Sequence, residues 1–244
     1  MENVGKSTQF GNGLDNITNI CYTMAMNLDQ LRQARLRRGQ TQQQAASRLG
    51  VTQAYLSMLE KGGRKPSAEL ARKLMREYEV SPTVLPVSEV PLNTGPDDFA
   101  YELAALGYPG FAHLRRGTRK VNPAAFLLNA LANHNLEARV AEALPWLLFR
   151  YPDVDFDWLV PQARLKNLQN RLGFCVTLAK AVSGNHALQK PELRLADSKL
   201  AKEDSFCREL SEPERRWLRS HRSEEARQWN LLSDLRPNAL RYVF

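Results

Sequence analysis

Gln53, Ala54, Ser57 and Met58 offer an amide, a methyl, a hydroxyl and a thioether, and helical spacing would turn all four to one side. The amide and the hydroxyl can each donate and accept hydrogen bonds, while the methyl and the thioether give apolar contact. No Leu, Ile or Val stands among them, so this face suits a wet partner better than a core. Arg64 and Lys65 follow closely and add cations suited to an anionic partner. Other reactive side chains are scattered. His113, His134, His186 and His221 include no pair three or four residues apart, the spacing a metal site on a helix would use. Cys21, Cys175 and Cys207 are distant and odd in number, so neither a disulfide framework nor a zinc cluster is suggested, and a reducing cytoplasm fits them. No cofactor or metal is expected.

The elements that must position this face are two short helices. Thr41 is an N-cap for a helix to about Leu49, with Ala45, Ala46 and Leu49 along one side. Gly50 permits the left-handed backbone that ends such a helix, and Val51 gives the turn an apolar plug. Thr52 caps the second helix, whose inward residues are Leu56 and Leu59. Upstream, Leu28, Leu31 and Leu36, helped by Ala34, form a face to cover the pair, with Arg32, Arg35, Arg37 and Arg38 on the basic side.

A small residue at the helix crossing, a glycine in the turn and bulky apolar residues on the second helix are met here by Ala46, Gly50, Leu56 and Leu59. With NLDQLRQARLRRGQT before them and LEKGGRKPS and AELARKLMREYEV after, the stretch from about Asn27 to Ser81 resembles the DNA-binding domain of the lambda-repressor-like, or XRE, family. The resemblance implies a recognition helix over residues 52–60 and assigns roles residue by residue. Gln42 would hold a phosphate through its side chain and the helix amino terminus. Gln53 would read a base first, bonding N6 and N7 of adenine in the major groove. Ser57 would bond either base type, whereas Ala54 and Met58 would offer apolar contact, for instance to a thymine methyl. Arg64 and Lys65 would hold the backbone, and Arg38 belongs to the same DNA-facing set. Ala54 stands where the family often has a larger polar residue, which weakens discrimination at that step.

Charge agrees with a phosphate partner. The chain carries +8 formally, and residues 27–80 hold 11 Lys or Arg against 5 Asp or Glu. Residues 1–26 are polar and expected to be disordered, with Met1, Met24 and Met26 as alternative starts; GKST at Gly5 to Thr8 lacks the earlier glycine and strand of a phosphate loop. Pro82, Pro86, Pro91 and Pro96 make residues 81–96 a stiff linker that keeps two domains apart without rigid docking.

Residues 97–244 read as helical throughout. Asp97 or Asp98, Asn122 with Pro123, Ser211 to Glu214, and Ser223 mark helix starts, Gly107 a stop, and Pro145 a kink or division. The aromatic tract Leu144 to Val160 is expected in the core, with a dimer or partner surface as the alternative. Asp153, Asp155 and Asp157 alternate, but a calcium loop wants glycine where Trp158 stands and glutamate where Arg164 stands, so a solvated capping turn fits better.

The expected fold is therefore all-α: a small helix-turn-helix domain at 27–80, a linker, and a larger helical domain at 97–244 for dimerisation or partner binding. The expected function is a cytoplasmic, sequence-specific regulator of transcription, a repressor, binding double-stranded DNA as a homodimer without a membrane or catalysis. Two alternatives stand beside it. An antitoxin-like protein would neutralise a partner toxin through residues 97–244 and regulate its own operon. A helical ribonuclease would use Arg216 and His221, five apart in RRWLRSH, where an imidazole could move a proton and a guanidinium stabilise phosphorane-like charge.

Overall fold

The computed structural model describes residues 30–87, 98–115, 120–242. The leader and most of the linker expected from the sequence lie outside them. The described residues are all-helical, and the only strand-like pairings among them are the isolated bridges Asn135–Cys207 and Asp204–Leu231.

Two hydrophobic cores divide the helices. The smaller gathers α1 (described over 30–37), α2 (Gln42–Leu49), α3 (Gln53–Glu60), α4 (Ala68–Tyr78) and a 3-10 turn at Pro82–Val84 around Leu31, Leu49, Leu56, Leu59 and Leu74. The larger collects α5 (Asp98–Leu106), α6 (Pro123–Ala132), α7 (Ala138–Arg150), α8 (Phe156–Leu165), α9 (Gln169–Ser183), α10 (Gln189–Ala196) and α12 (Glu224–Gln228), while α11 (Glu212–His221) puts no residue into it. α9 is its axis: every residue from Gln169 to Ala179 is buried. Gly173 allows the Trp229 ring to lie against this helix, since a Cβ there would sit 2.3 Å from the indole. Pro145 does not divide α7, which runs through it as one helix.

The linker expectation needs correction at its start. Pro82, Val84 and Leu85 are buried and close the smaller core, because a short 3-10 turn lets the proline-biased chain fold back instead of extending. Nor are the two cores held apart. Asn122 caps α6 by accepting the Ala124 amide, and its Nδ2 then donates to the carbonyls of Thr83 at 3.1 Å and Leu85 at 2.6 Å. Asp155 caps α8 and lies 3.6 Å from Lys65. Between them Asp153 accepts from Thr83 and Gln30. A helix cap of the larger unit thus uses its spare polar atom on the smaller one in two places.

Inside the larger unit, one oxygen of Glu102 on α5 is buried with no hydrogen-bond partner among the described residues. Burial, with the nearby Asp98 charge adding to it, pushes this carboxyl up to about 7 from 4.5. A raised folded-state value means the native state holds the proton more tightly. The cost is absent below about pH 4.5, grows as pH rises, and is complete above about 7. Allowing for partial solvent screening, Glu102→Gln should stabilise the protein by roughly 1–2 kcal/mol at pH 8 and by almost nothing at pH 4.5. Urea midpoints at the two values would check this; an equal gain at both would not fit.

Candidate nucleic-acid interface

Each helix of the pair is fixed at its ends by short-range chemistry. The Thr41 hydroxyl accepts the Gln44 amide at 3.2 Å while Gln44 Oε1 accepts the Thr41 amide at 2.8 Å, a reciprocal cap that starts α2. Gly50, at φ +73°, ends it, and the Lys73 ammonium donates to the last carbonyl at Leu49. Thr52 Oγ1 accepts the Tyr55 amide and starts α3. Leu56 and Leu59 then fasten the inner side of α3 to the core.

The outer side carries the expected set. Gln53 and Ala54 are exposed on the first turn, Met58 is 41% exposed and Ser57 is half-buried. α3 is followed by a close turn in which the Gly63 amide reaches the Met58 carbonyl at 2.9 Å, with Gly62 at φ +74°. That turn presents Arg64 and Lys65 to solvent, directly after α3. Lys65 also faces Asp155 of the larger unit.

Two other expected contacts are placed differently. The Gln42 side chain is turned inward, its amide donating to Glu60 at 2.9 Å, so what this position offers a phosphate is the amino terminus of α2. Arg38 is exposed beside the end of α4, 5.3 Å over the Tyr78 ring and 3.8 Å from Glu79; no contact joins it to the outer face of α3.

The acceptor for Gln42 belongs to an ion pair unmarked by periodicity. Arg35 on α1 donates through Nε and Nη2 to both oxygens of Glu60, at 2.6 and 3.0 Å, and through Nη1 to the Gln40 carbonyl. Arg35 is buried and Leu36 is 49% exposed, the reverse of the sequence reading. The inward stripe of α1 runs through 31, 34 and 35, so Leu36 falls about 100° off it. One Arg–Glu pair therefore ties α1, the start of α2 and the end of α3 together.

The remaining reactive candidates are separated or already engaged. Arg216 and His221 are exposed on α11; the His221 ring stacks on Trp217 at 4.2 Å, with Nδ1 beside the Trp217 carbonyl and Ser220 hydroxyl, and no contact links it to Arg216. Asp157 pairs with Arg194 at 2.6 Å, while Asp153 and Asp155 serve the joint between the cores. Among the described residues no group of three His, Cys, Asp or Glu could hold a metal ion, and no helix is long and apolar enough to cross a membrane.

Comparison with known proteins places the smaller core. A family model described as helix-turn-helix matches residues 31–85, from the buried Leu31 of α1 to the Leu85 that closes the core. No curated protein and no solved structure matches the chain. The match ends where the packing of the smaller unit ends. Residues 31–85 are a helix-turn-helix domain of the lambda-repressor-like, XRE type.

Proposed function

We propose that the chain is a sequence-specific DNA-binding regulator of transcription, acting as a repressor, with α3 entering the major groove. The observation that carries this reading is the asymmetry of α3: Leu56, Leu59 and Glu60 hold one side, while Gln53, Ala54 and Met58 stand exposed on the other. Gln53 reads adenine through its amide, Ser57 adds a second hydrogen bond, and Arg64, Lys65 and the start of α2 hold the backbone. So small a reading surface makes few base contacts. Two copies, joined through the helical unit and set on half-sites about one helical turn apart, would supply the affinity.

The test is binding of the full-length protein to duplex DNA from its own upstream region, with random duplex as competitor. Gln53→Ala should weaken specific binding by roughly 1–3 kcal/mol and leave binding to random DNA nearly unchanged. Equal, weak and steeply salt-dependent binding of both proteins to both DNAs would reject base reading by this helix.

A second reading is supported by α11. It has no buried residue, and Trp217 is 51% exposed beside His221, the kind of aromatic surface on which protein partners anchor. On that reading the helical unit neutralises a partner protein, as antitoxins of this general type do, while the helix-turn-helix regulates the shared operon. Co-purification of a neighbouring gene product would favour it; a lone homodimer would not.

A further inference from the structure

The joint between the two cores places a fixed carboxylate beside a cation of the reading loop. Asp155 divides its oxygens: Oδ1 accepts the Trp158 amide at 3.0 Å and caps α8, while Oδ2 lies 3.6 Å from Lys65 Nζ. The turn that carries Asp155 is itself anchored to the smaller unit. Asp153 accepts from the Thr83 hydroxyl and, at 3.2 Å, from the Gln30 amide, and Asn122 grips the carbonyls of Thr83 and Leu85. Lys65 has no such anchor. Its side chain is 58% exposed, and its one ion pair among the described residues is with Asp155.

A carboxylate and a phosphate oxygen offer an ammonium the same chemistry, a charged acceptor at hydrogen-bonding range. We infer that Asp155 stands in for a DNA phosphate at Lys65, so that the larger unit competes with DNA for the loop after α3 and lowers the affinity of the smaller unit. This rests on reading Arg64 and Lys65 as backbone contacts. The mechanism is an exchange: Lys65 releases Asp155, which remains on α8, and takes a phosphate oxygen. Asp153, two residues away and also held at the joint, adds negative charge that an approaching phosphate must face. An exposed ion pair contributes little, so the exchange tunes affinity and does not abolish binding.

The test uses the full-length chain and upstream duplex at roughly 0.1 M salt, where charges about 10 Å apart still interact. Wild type, Asp155→Asn, Lys65→Gln and the double variant are titrated, with Gln53→Ala alongside. Asparagine keeps an oxygen for the α8 cap, and thermal melts of the variants check that the cap is retained. Asp155→Asn should tighten binding about 2- to 5-fold, and the same change in the Lys65→Gln background should alter it by less than about 2-fold. Unchanged or weaker binding by Asp155→Asn overturns the inference, as does equal tightening in both backgrounds, which would mean a general charge effect. If Gln53→Ala loses specificity while Asp155→Asn does nothing, the DNA reading stands and only the competition fails. If the wild type binds no DNA, both fall.

Discussion

Glu60→Ala should cost the helix-turn-helix unit about 3–5 kcal/mol, a large part of its stability, although Glu60 lies on the inner side of α3. The carboxylate side chain is 2% exposed and the Arg35 side chain 8%, and Arg35 grips both carboxylate oxygens, at 2.6 and 3.0 Å. Removing Glu60 leaves a buried guanidinium with only the Gln40 carbonyl, and it frees Gln42 from the end of α3. A unit the size of residues 31–85 commands only about 3–8 kcal/mol in total, so the loss is comparable to everything it has. The companion variant separates charge from packing. Replacing the pair together, Arg35→Met with Glu60→Leu, should recover most of the stability, because neither buried charge is then left alone. Denaturant midpoints of the three proteins decide it; a double variant as unstable as Glu60→Ala would show that shape, not the uncompensated charge, was at stake.

The same pair fixes a pH dependence. Burial alone would raise the Glu60 carboxyl, but hydrogen bonds from Arg35 and Gln42, with the charges of Arg35 and Arg32, outweigh it and hold the group below its ordinary 4.5. A depressed folded-state value contributes stability that is complete above 4.5 and is lost as pH falls through the depressed value. The smaller unit should therefore be acid-labile through Glu60, while the larger unit is penalised toward neutral pH through Glu102.

What was legible in the sequence follows from how local each signal is. Thr41, Gly50, Thr52, Asn122 and Ser211 act on residues two to four positions away, and each caps or ends the helix its neighbourhood called for. Leu56 and Leu59 were visible because one side of α3 is wet and the other dry. Arg35 was not, because a charged residue in the inward stripe looks like part of the basic side until its partner, 25 positions away, is seen. α9 hid its orientation for another reason: Gln169, Asn170 and Arg171 are as buried as its apolar residues, so the helix has no wet face to mark the dry one. α10 carries no clear apolar stripe, since Pro191 and Glu192 both face inward, the latter to Thr177 and Lys180. The docking of the two units rests on Asn122, Asp153 and Asp155, whose cap-like spacing gives no hint of a second bond.

Arg171→Met should produce the corresponding loss in the larger unit, again about 3–5 kcal/mol. The Arg171 side chain is 2% exposed and spends four hydrogen bonds: two to Asp204, at 2.7 and 2.9 Å, and two to the carbonyls of Leu131 and Asn133 at the end of α6. Those carbonyls lie where a helix runs out of its own donors, so the guanidinium serves as the C-terminal cap of α6 from the first turn of α9. Asp204 in turn joins the chain near the carboxy terminus: its amide donates to the Asn230 carbonyl and its carbonyl accepts the Leu232 amide. Burial would raise the Asp204 carboxyl, but the hydrogen bonds and charge of Arg171 hold it below its ordinary value. Methionine fills a similar length but leaves the two carbonyls without this donor and a half-buried carboxylate with only the Ser205 amide. Lysine restores the charge, yet a single ammonium cannot span the fork and both carbonyls, so Arg171→Lys should recover only part of the loss. Calorimetry reads the outcome directly, because the cores are separate and joined by few bonds. Arg171→Met should lower the transition of the larger unit by roughly 6–20 °C, shift that of the helix-turn-helix far less, and leave the DNA affinity of folded protein almost unchanged. A parallel fall of both transitions would mean that the joint at Asn122, Asp153 and Asp155 couples the two units into one cooperative body.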